Sequence, residues 1–315
     1  MPTLRPFRAL RYALEAEADL SALICPPYDV ISADQRARLE SRHPHNAVHL
    51  ELPAPAAESA HAGSEAASPY LRAARDFVAW RTQGVLRKDP RPAIYAYEQV
   101  YRQTGEPDDR RLRGFFARLR LEVAGPDSGV RPHERTLSGP KEDRYRLLRA
   151  CGANFSPVVM LFGSGRRSQP LLEAACRGQP TANALDDTGV RHRLWRLEAP
   201  SGKDPEDPNA LVGERLLALG QAGPLVIADG HHRYETALRY RDERGERRAC
   251  ESDPAYDYVL ALLFDLDDPA LAVLATHRLV RGGPVGEGLL KAADELFEVR
   301  PLAGRHELIA AFPPG

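Results

Sequence analysis

The sequence predicts an α+β protein in which antiparallel and mixed β-sheets pack against helices. One observation is that alternating apolar and polar residues form pairs of segments around polar turns, which is typical of β-hairpins. Another is that the segments between these pairs combine helical spacing with helix start and stop residues. Hairpins argue against a doubly wound parallel sheet, in which strands and helices alternate along the chain.

Two hairpins are predicted. The first spans residues 93–122, and its second segment alternates apolar and polar residues from Ala117 to Leu121, which places the apolar side chains on one face of a strand. The second spans residues 256–280 and is interrupted by the polar turn at 267–269. Its first run is apolar on both faces, which predicts a central strand.

Three helices are predicted between the strands. Segment 140–152 begins with Pro140, carries acidic residues in its first turn and stops at a glycine. Segment 209–220 has Asn209 as its predicted cap and also ends at a glycine. Segment 231–245 has apolar residues at positions i, i+3 and i+4, which is helical spacing.

Two regions are predicted, with a boundary in the loop that begins at Gly163. This loop is dense in Gly, Ser and Arg, which indicates a connection between regular elements. The chain has 315 residues, enough for more than one modest core. We therefore expect an N-terminal region over 1–165 and a C-terminal region over 166–315.

The composition narrows the class of protein. The net charge is -1 and the pI is about 6.8, so nucleic acids and anionic membranes are not expected as main partners. No apolar segment approaches the roughly 20 residues that cross a bilayer. The four cysteines are scattered without a C-x-x-C pair, which favours reduced thiols. We expect a cytoplasmic protein, and the sequence leaves its oligomeric state open, a homo-oligomer included.

The most informative stretch is LVIADGHHRYETAL, in which a short apolar run ends in charged and polar residues before a helix. The N–H groups of a first helical turn have no partners within the helix and attract anions. Gly230 leaves room for a phosphate, Arg233 can fold back over the same anion, and His231 and His232 add donors. The stretch therefore predicts a phosphate-binding turn.

Asp229 has three candidate roles. A carboxylate beside a phosphate is repelled by it unless a cation or a proton transfer makes use of the negative charge. It could bind Mg²⁺, accept a proton from an attacking hydroxyl, or cap the helix. The adjacent His231 and His232 diverge by about 100° on a helix, so phosphate contact is a better interpretation of this pair than metal binding.

A second cluster lies just before the predicted helix 140–152 and in its first turn. Lys141 and Arg144 lie one turn apart and could neutralise phosphate oxygens, with His133 as a further donor. Glu134 or Asp143 could bind Mg²⁺ or orient an acceptor. The alternative for the whole cluster is a solvated, charged start of a helix.

The stretch ADGHHRYETAL resembles the signature of a prokaryotic family described as domain of unknown function 1015 (DUF1015). Other blocks similar to that family stand in order along the chain: CPPYDVIS at 25–32, a block at 131–157 and another at 186–197. The D-G-H-H-R core is similar to the phosphate-binding turn of the ParB and sulfiredoxin superfamily, and closest to its free-serine kinases. The resemblance implies a ParB/sulfiredoxin-like core around this strand, turn and helix. It also makes Tyr28 and Asp29 candidate substrate residues, although Asp29 reads locally as a turn or cap residue.

The resemblance implies a kinase that uses ATP or ADP with Mg²⁺ to phosphorylate a small hydroxyl metabolite, free L-serine being the candidate. Asp229, Glu134 and His231 are the candidate catalytic residues. The alternative is a ParB-like regulator that binds a nucleotide without transferring phosphate. A sulfiredoxin-like redox activity would need a cysteine near the turn, and segment 225–245 has none. Members of the family usually continue beyond the point where this chain stops, so we expect a shortened C-terminal region.

Overall fold

The computed structural model describes residues 1–13, 19–54, 68–103, 106–134, 136, 138–199, 207–245, 253–273, 287–304, 306–307 and 311. The strands in these ranges are β1 Leu4–Arg5, β2 Leu10–Tyr12, β3 Leu86–Lys88, β4 Ala93–Arg102, β5 Asp109–Arg120, β6 Val130–Arg131, β7 Val158–Phe162, β8 Ala182–Leu185, β9 Arg191–Glu198, β10 Leu225–Asp229 and β11 Tyr258–Asp265. The helices are α1 Ala33–Arg42, α2 Val48–Glu51, α3 Pro69–Thr82, α4 Ser138–Cys151, α5 Gln169–Ala175, α6 Pro208–Gln221, α7 His231–Gly245 and α8 Glu287–Asp294. Short 3₁₀ turns cover Tyr28–Val30 and Ala255–Asp257.

Most strands belong to one mixed sheet. Its order is β6-β10-β7-β11-β5-β4-β9-β8, and β1 also pairs with β5. The β6–β10 and β7–β11 pairs are parallel, whereas the other pairs in the sheet are antiparallel. Strands β2 and β3 form a separate antiparallel pair. The predicted α+β class with a mixed sheet and packed helices is confirmed.

Both predicted hairpin regions contain a strand in the expected place. β4 and β5 form the first hairpin, with Tyr95 opposite Phe116 and Tyr97 opposite Gly114. β11 lies between β7 and β5, so the prediction of a central strand is confirmed. The partner run of the second hairpin is not a strand over residues 271–273, and residues 274–280 lie outside the described part of the chain.

The three predicted helices are α4, α6 and α7. Their bounds match the predictions to within about two residues, which is the usual uncertainty at helix ends. The prediction of Asn209 as the cap of α6 is wrong. The Asp207 side chain accepts a hydrogen bond from Asn209 N, so Asp207 is the cap and Pro208 takes the first helical position. A proline suits that position because its missing N–H would have had no partner there.

Helices α4, α5, α6 and α7 cover one face of the large sheet and form the main core with it. Buried residues of this core come from α4 (Tyr145, Leu148), α5 (Leu172, Ala175), α6 (Leu216) and α7 (Tyr234, Ala237, Tyr240). On the other face, Leu262 and Phe264 of β11 pack with Leu112 in a smaller cluster. Leu263 points into the main core. Both faces of β11 are therefore covered, which explains why its sequence is apolar on both faces.

The described residues divide into two compact units, Met1–Ala272 and Val273–Gly315. The large sheet takes strands from both sides of residue 165, so the regions 1–165 and 166–315 contribute to the same sheet. None of the helices in the described ranges has the length and apolar character needed to cross a membrane. Cys25, Cys151 and Cys176 form no disulfide, and burial raises the pKa of each thiol to about 12, whereas Cys250 lies outside the described residues.

Two glycine-to-alanine variants, one in the sheet and one in a helix, test the packing of the sheet. A Cβ atom at Gly114 would collide with the backbone carbonyl of Leu263 and lie 2.6 Å from the Phe264 ring, whereas one at Gly213 in α6 would make ordinary contacts of 3.5 Å and longer with Ile94. We expect Gly114→Ala to destabilise the protein by about 1–3 kcal/mol through overpacking. Gly213→Ala should leave stability unchanged or raise it by up to about 1 kcal/mol, because alanine favours the helix. Urea denaturation of both variants measures the difference, and equal midpoints would contradict the described pairing of β5 with β11.

Candidate functional site

The parallel pairing of β6 with β10 brings two predicted motifs together. Leu225 pairs with Val130 and Val226 with Arg131, so both strands end at the same edge of the sheet. The chain after β6 continues into His133 and Glu134, and the chain after β10 continues into the Gly230 turn. The resulting cluster of side chains at this edge is the candidate site.

The turn between β10 and α7 has the backbone that an anion site needs. Gly230 has φ +90, a left-handed conformation that glycine adopts without a steric penalty. The first hydrogen bond of α7 runs from Tyr234 N to Gly230 O, so the N–H groups of residues 231–233 come before the first helical hydrogen bond. The predicted start of the helix at His231 is confirmed.

Arg233 folds back over the turn, as the sequence predicts. A Cβ atom at Gly230 would lie 3.0 Å from Arg233 Nε and 3.1 Å from Cζ, so the guanidinium covers the glycine directly. Its Nη1 donates to the carbonyl of Pro157, and its Nη2 forms an ion pair with Asp229 Oδ2. The side chain is 13% exposed, which leaves a small part of the guanidinium open to solvent.

Asp229 is the carboxylate of the turn. It is the last residue of β10, one position before Gly230, and its side chain is 55% exposed. A β-bulge between Ile227 and Asp229 shifts the register against β7 just before this residue. Because the helix starts at His231, Gly230 occupies the cap position, and the Asp229 carboxylate pairs with Arg233.

His231 and His133 form a second group beside the turn. The His231 side chain is 4% exposed, and its ring lies edge-on to the ring of His133 with the centroids 4.6 Å apart. His133 N donates to His231 Nε2 at 3.3 Å, and His133 Nδ1 lies 2.7 Å from Ile227 O. Glu134 Oε2 lies 3.7 Å from His231 Nδ1. Burial, followed by the neighbouring His133, lowers the pKa of His231 although Glu134 and Asp229 favour its charged form.

An open pocket of about 750 Å³ lies beside this group. Its polar wall includes Glu134, Thr136, Lys141, His231 and Glu235, and its apolar wall includes Val123, Ala124, Ile227 and Leu238. Thr136 Oγ1 donates to Glu235 Oε2 at 2.7 Å, and Lys141 Nζ donates to the same oxygen at 3.0 Å. Burial opposes ionisation of Glu235, but these two hydrogen bonds outweigh it and lower the pKa of its carboxyl group.

Arg144 lies apart from Lys141, although the sequence places them one turn apart. Arg144 is 5% exposed, donates to Asp143 Oδ2 and to the Glu51 carbonyl, and lies 4.0 Å from the centre of the Tyr28 ring. Lys141 instead lines the pocket next to Glu235. The two cations therefore do not converge on one anion in this structure.

Glu51, which lies beside Arg144, was not among the residues predicted from the sequence. Its side chain is 7% exposed, lies 3.6 Å from Arg144 Nη1 and accepts a hydrogen bond from Ser156. Burial raises the pKa of Glu51 even though Arg144 and Ser156 stabilise its charged form. The sequence around it, AVHLEL, is a short amphipathic run that carries no signal of a buried acid.

The remaining predicted residues lie around these groups. Tyr28 is half-buried under Arg144, Asp29 is exposed in the same 3₁₀ turn, and His232 is half-buried in the first turn of α7. Asp143 accepts from Arg144 and from Tyr70 Oη at 2.9 Å. Two of the predicted magnesium ligands, Asp229 and Asp143, are thus each paired with a different arginine.

The donor sets distinguish two kinds of metal site. Mg²⁺ that arrives with a nucleotide needs only one or two protein carboxylates besides the phosphates, and exposed Asp229 fits this requirement. Among the described residues, one group of three possible ligands has its ligand atoms all within 4.8 Å of one another: His133, Glu134 and His231. Two imidazoles are not a magnesium donor set.

The conformation of Gly230 can be tested separately from any ligand. We expect Gly230→Ala to destabilise the protein by about 1–3 kcal/mol, because the new Cβ strains a left-handed residue and displaces Arg233. Gly223 is the matched control, since a Cβ there meets nothing within 4 Å and its φ is ordinary. Gly223→Ala should stay within about 0.5 kcal/mol of the unmodified protein. Equal urea midpoints for the two variants would remove the special role of Gly230.

Comparison with known proteins gives one positive result. No curated protein and no solved structure matches the chain. The model of a family described as protein of unknown function (DUF1015) matches residues 4–313. This match covers nearly the whole chain, which therefore belongs to the DUF1015 family.

Proposed function

We propose that the protein is a nucleotide-dependent phosphotransferase that phosphorylates a small hydroxyl metabolite, with free L-serine as the first candidate acceptor. The observation that carries the proposal is the turn at Gly230, where a guanidinium covers a left-handed glycine at the start of a helix. Helix N-termini and arginines are the groups that bind phosphate in proteins. The resemblance of this turn to that of the ParB/sulfiredoxin superfamily supports the same assignment, including a core of that type.

The terminal phosphates of ATP or ADP would lie over residues 230–233. Backbone N–H groups of the first turn of α7 would contact phosphate oxygens, with His232 as a further donor. Arg233 would exchange its ion pair with Asp229 for a contact to phosphate. This exchange frees the Asp229 carboxylate at the moment when the nucleotide binds.

The acceptor would enter from the pocket that Lys141 and Glu235 line. In the transfer, the bond between the terminal phosphorus and the nucleotide oxygen breaks, and a bond from the acceptor hydroxyl oxygen to that phosphorus forms. The hydroxyl proton passes to a carboxylate, Asp229 in our assignment, and the shortened nucleotide leaves with the bridging oxygen. Magnesium carried by the nucleotide would supply charge neutralisation at the phosphates.

The proposal is tested by incubating the purified chain with ATP or ADP, Mg²⁺ and a panel of hydroxyl metabolites that includes L-serine. Phosphorus NMR identifies any phosphorylated product directly. Formation of phosphoserine or another phosphomonoester would support the kinase. Nucleotide binding without transfer to any acceptor would contradict it and favour the ParB-like regulator.

Replacement of Arg233 tests the phosphate contact. We expect Arg233→Ala to weaken nucleotide binding about tenfold or more, because a charge-assisted hydrogen bond contributes about 1.5–3 kcal/mol. Arg244→Ala is the matched control, since Arg244 lies on the same helix about 16 Å further along and its Nε donates to Tyr240 Oη. Titration calorimetry measures both affinities. Equal affinities in the two variants would remove Arg233 from the site.

Replacement of Asp229 distinguishes its effect on catalytic turnover from its effect on nucleotide affinity. We expect Asp229→Asn to lower kcat by about 10²-fold or more, the contribution of a general base. Nucleotide affinity measured without metal should hold or rise, because the carboxylate that repels phosphate and occupies Arg233 has lost its charge. Steady-state kinetics and calorimetry on the same preparation measure the two effects. Near-normal turnover would show that Asp229 is not the base.

A further inference from the structure

The group formed by His133, Glu134 and His231 has a feature that phosphate binding does not need. The ligand atoms of the three side chains all lie within 4.8 Å of one another, although they come from two segments almost a hundred residues apart in the chain. Two imidazoles and a carboxylate are the donors of zinc sites that keep an open coordination position. We propose that these three residues bind a divalent transition metal of the zinc class.

His133 is held in the tautomer that a metal requires. Its Nδ1 lies 2.7 Å from the carbonyl oxygen of Ile227, and a carbonyl can only accept a hydrogen bond. Nδ1 therefore carries the proton, and in the neutral ring Nε2 presents its lone pair. Histidines that bind metals characteristically donate their other N–H to a carbonyl or a carboxylate in this way.

The spacing of the other two ligands is close to that of a metal site. Glu134 Oε2 and His231 Nδ1 are 3.7 Å apart. Bonds of about 2.0–2.1 Å in a tetrahedron place two ligand atoms about 3.3–3.4 Å apart, so a small rotation closes the difference. The Glu134 side chain is 63% exposed and can make that rotation, whereas His231 is fixed by burial.

Binding through His231 Nδ1 has one structural cost. The neutral ring then carries its proton on Nε2, which ends the contact with His133 N. That contact is 3.3 Å long, beyond the usual range for a hydrogen bond from N–H, and its loss is a modest cost. The donor set with two nitrogens selects zinc-class ions over Mg²⁺ and Ca²⁺, which prefer oxygen.

The open position of the metal would face the pocket. Glu134 and His231 line that pocket together with Lys141, so water or an anionic oxygen of a bound molecule can complete the coordination. The inference goes beyond the proposed kinase activity and does not depend on it. A zinc titration needs neither nucleotide nor acceptor, so its failure and the failure of the phosphorylation assay are distinct results.

The test is titration of the chelator-treated full chain with Zn²⁺ by calorimetry, and with Co²⁺ by visible absorption. We expect one ion per chain and a tetrahedral or five-coordinate Co²⁺ spectrum. His133→Ala and Glu134→Ala should each lower the affinity by more than the ~10–100-fold that loss of an outer hydrogen-bonding partner costs. Both side chains are exposed, so circular dichroism should show an intact fold.

The matched control is His43→Ala, which removes a histidine from the separate histidine-containing segment at His43 and His45. Its zinc affinity should equal that of the unmodified chain. Absence of zinc binding, unchanged affinity in both ligand variants, or a loss confined to the His43 variant would overturn the proposal.

Discussion

The candidate site depends on a very short parallel pairing between β6 and β10. β6 has two residues, and the register places Val130 beside Leu225 and Arg131 beside Val226. Val130 and Leu225 have no exposed surface, so burial in the main core holds the pairing where two ladder positions alone would be weak. The hydrogen bond from His133 to the Ile227 carbonyl extends this contact toward the turn. Without the β6–β10 pairing, the His133 segment and the Gly230 turn would have no common edge.

Local patterns account for the elements that the sequence predicts well. The alternation in β5, the two apolar faces of β11 and the spacing in α7 each reflect burial of neighbouring residues within one segment. The start of α7 and the fold-back of Arg233 can also be predicted from one segment. They depend only on the glycine, the start of the helix and the direction of helical side chains, all of which lie within a few residues of one another. ParB/sulfiredoxin likeness of the core and catalysis by the turn stay predictions.

The parts that sequence reasoning missed depend on long-range pairing. Nothing in the two residues of β6 shows that they form a strand, so local patterns could not predict the ring contact of His133 with His231, although the resemblance implies one site for both segments. Arg144 looks like an exposed cation in its own helix, and only the tertiary contact with α2 places the buried Glu51 carboxylate beside it. The cap of α6 was missed because Asp207 and Asn209 are both good caps and the intervening proline decides between them.

The ion pair between Arg233 and Asp229 means that the turn already carries an internal anion. Any external anion that reaches this guanidinium competes with a carboxylate held in place by the chain itself. A ligand with a single negative charge exchanges one such contact for an equivalent one and gains little. A phosphoryl group brings a second charge and further acceptor oxygens that the backbone N–H groups can use. If the turn binds phosphate as we propose, the pair would therefore favour dianions over chloride and simple carboxylates.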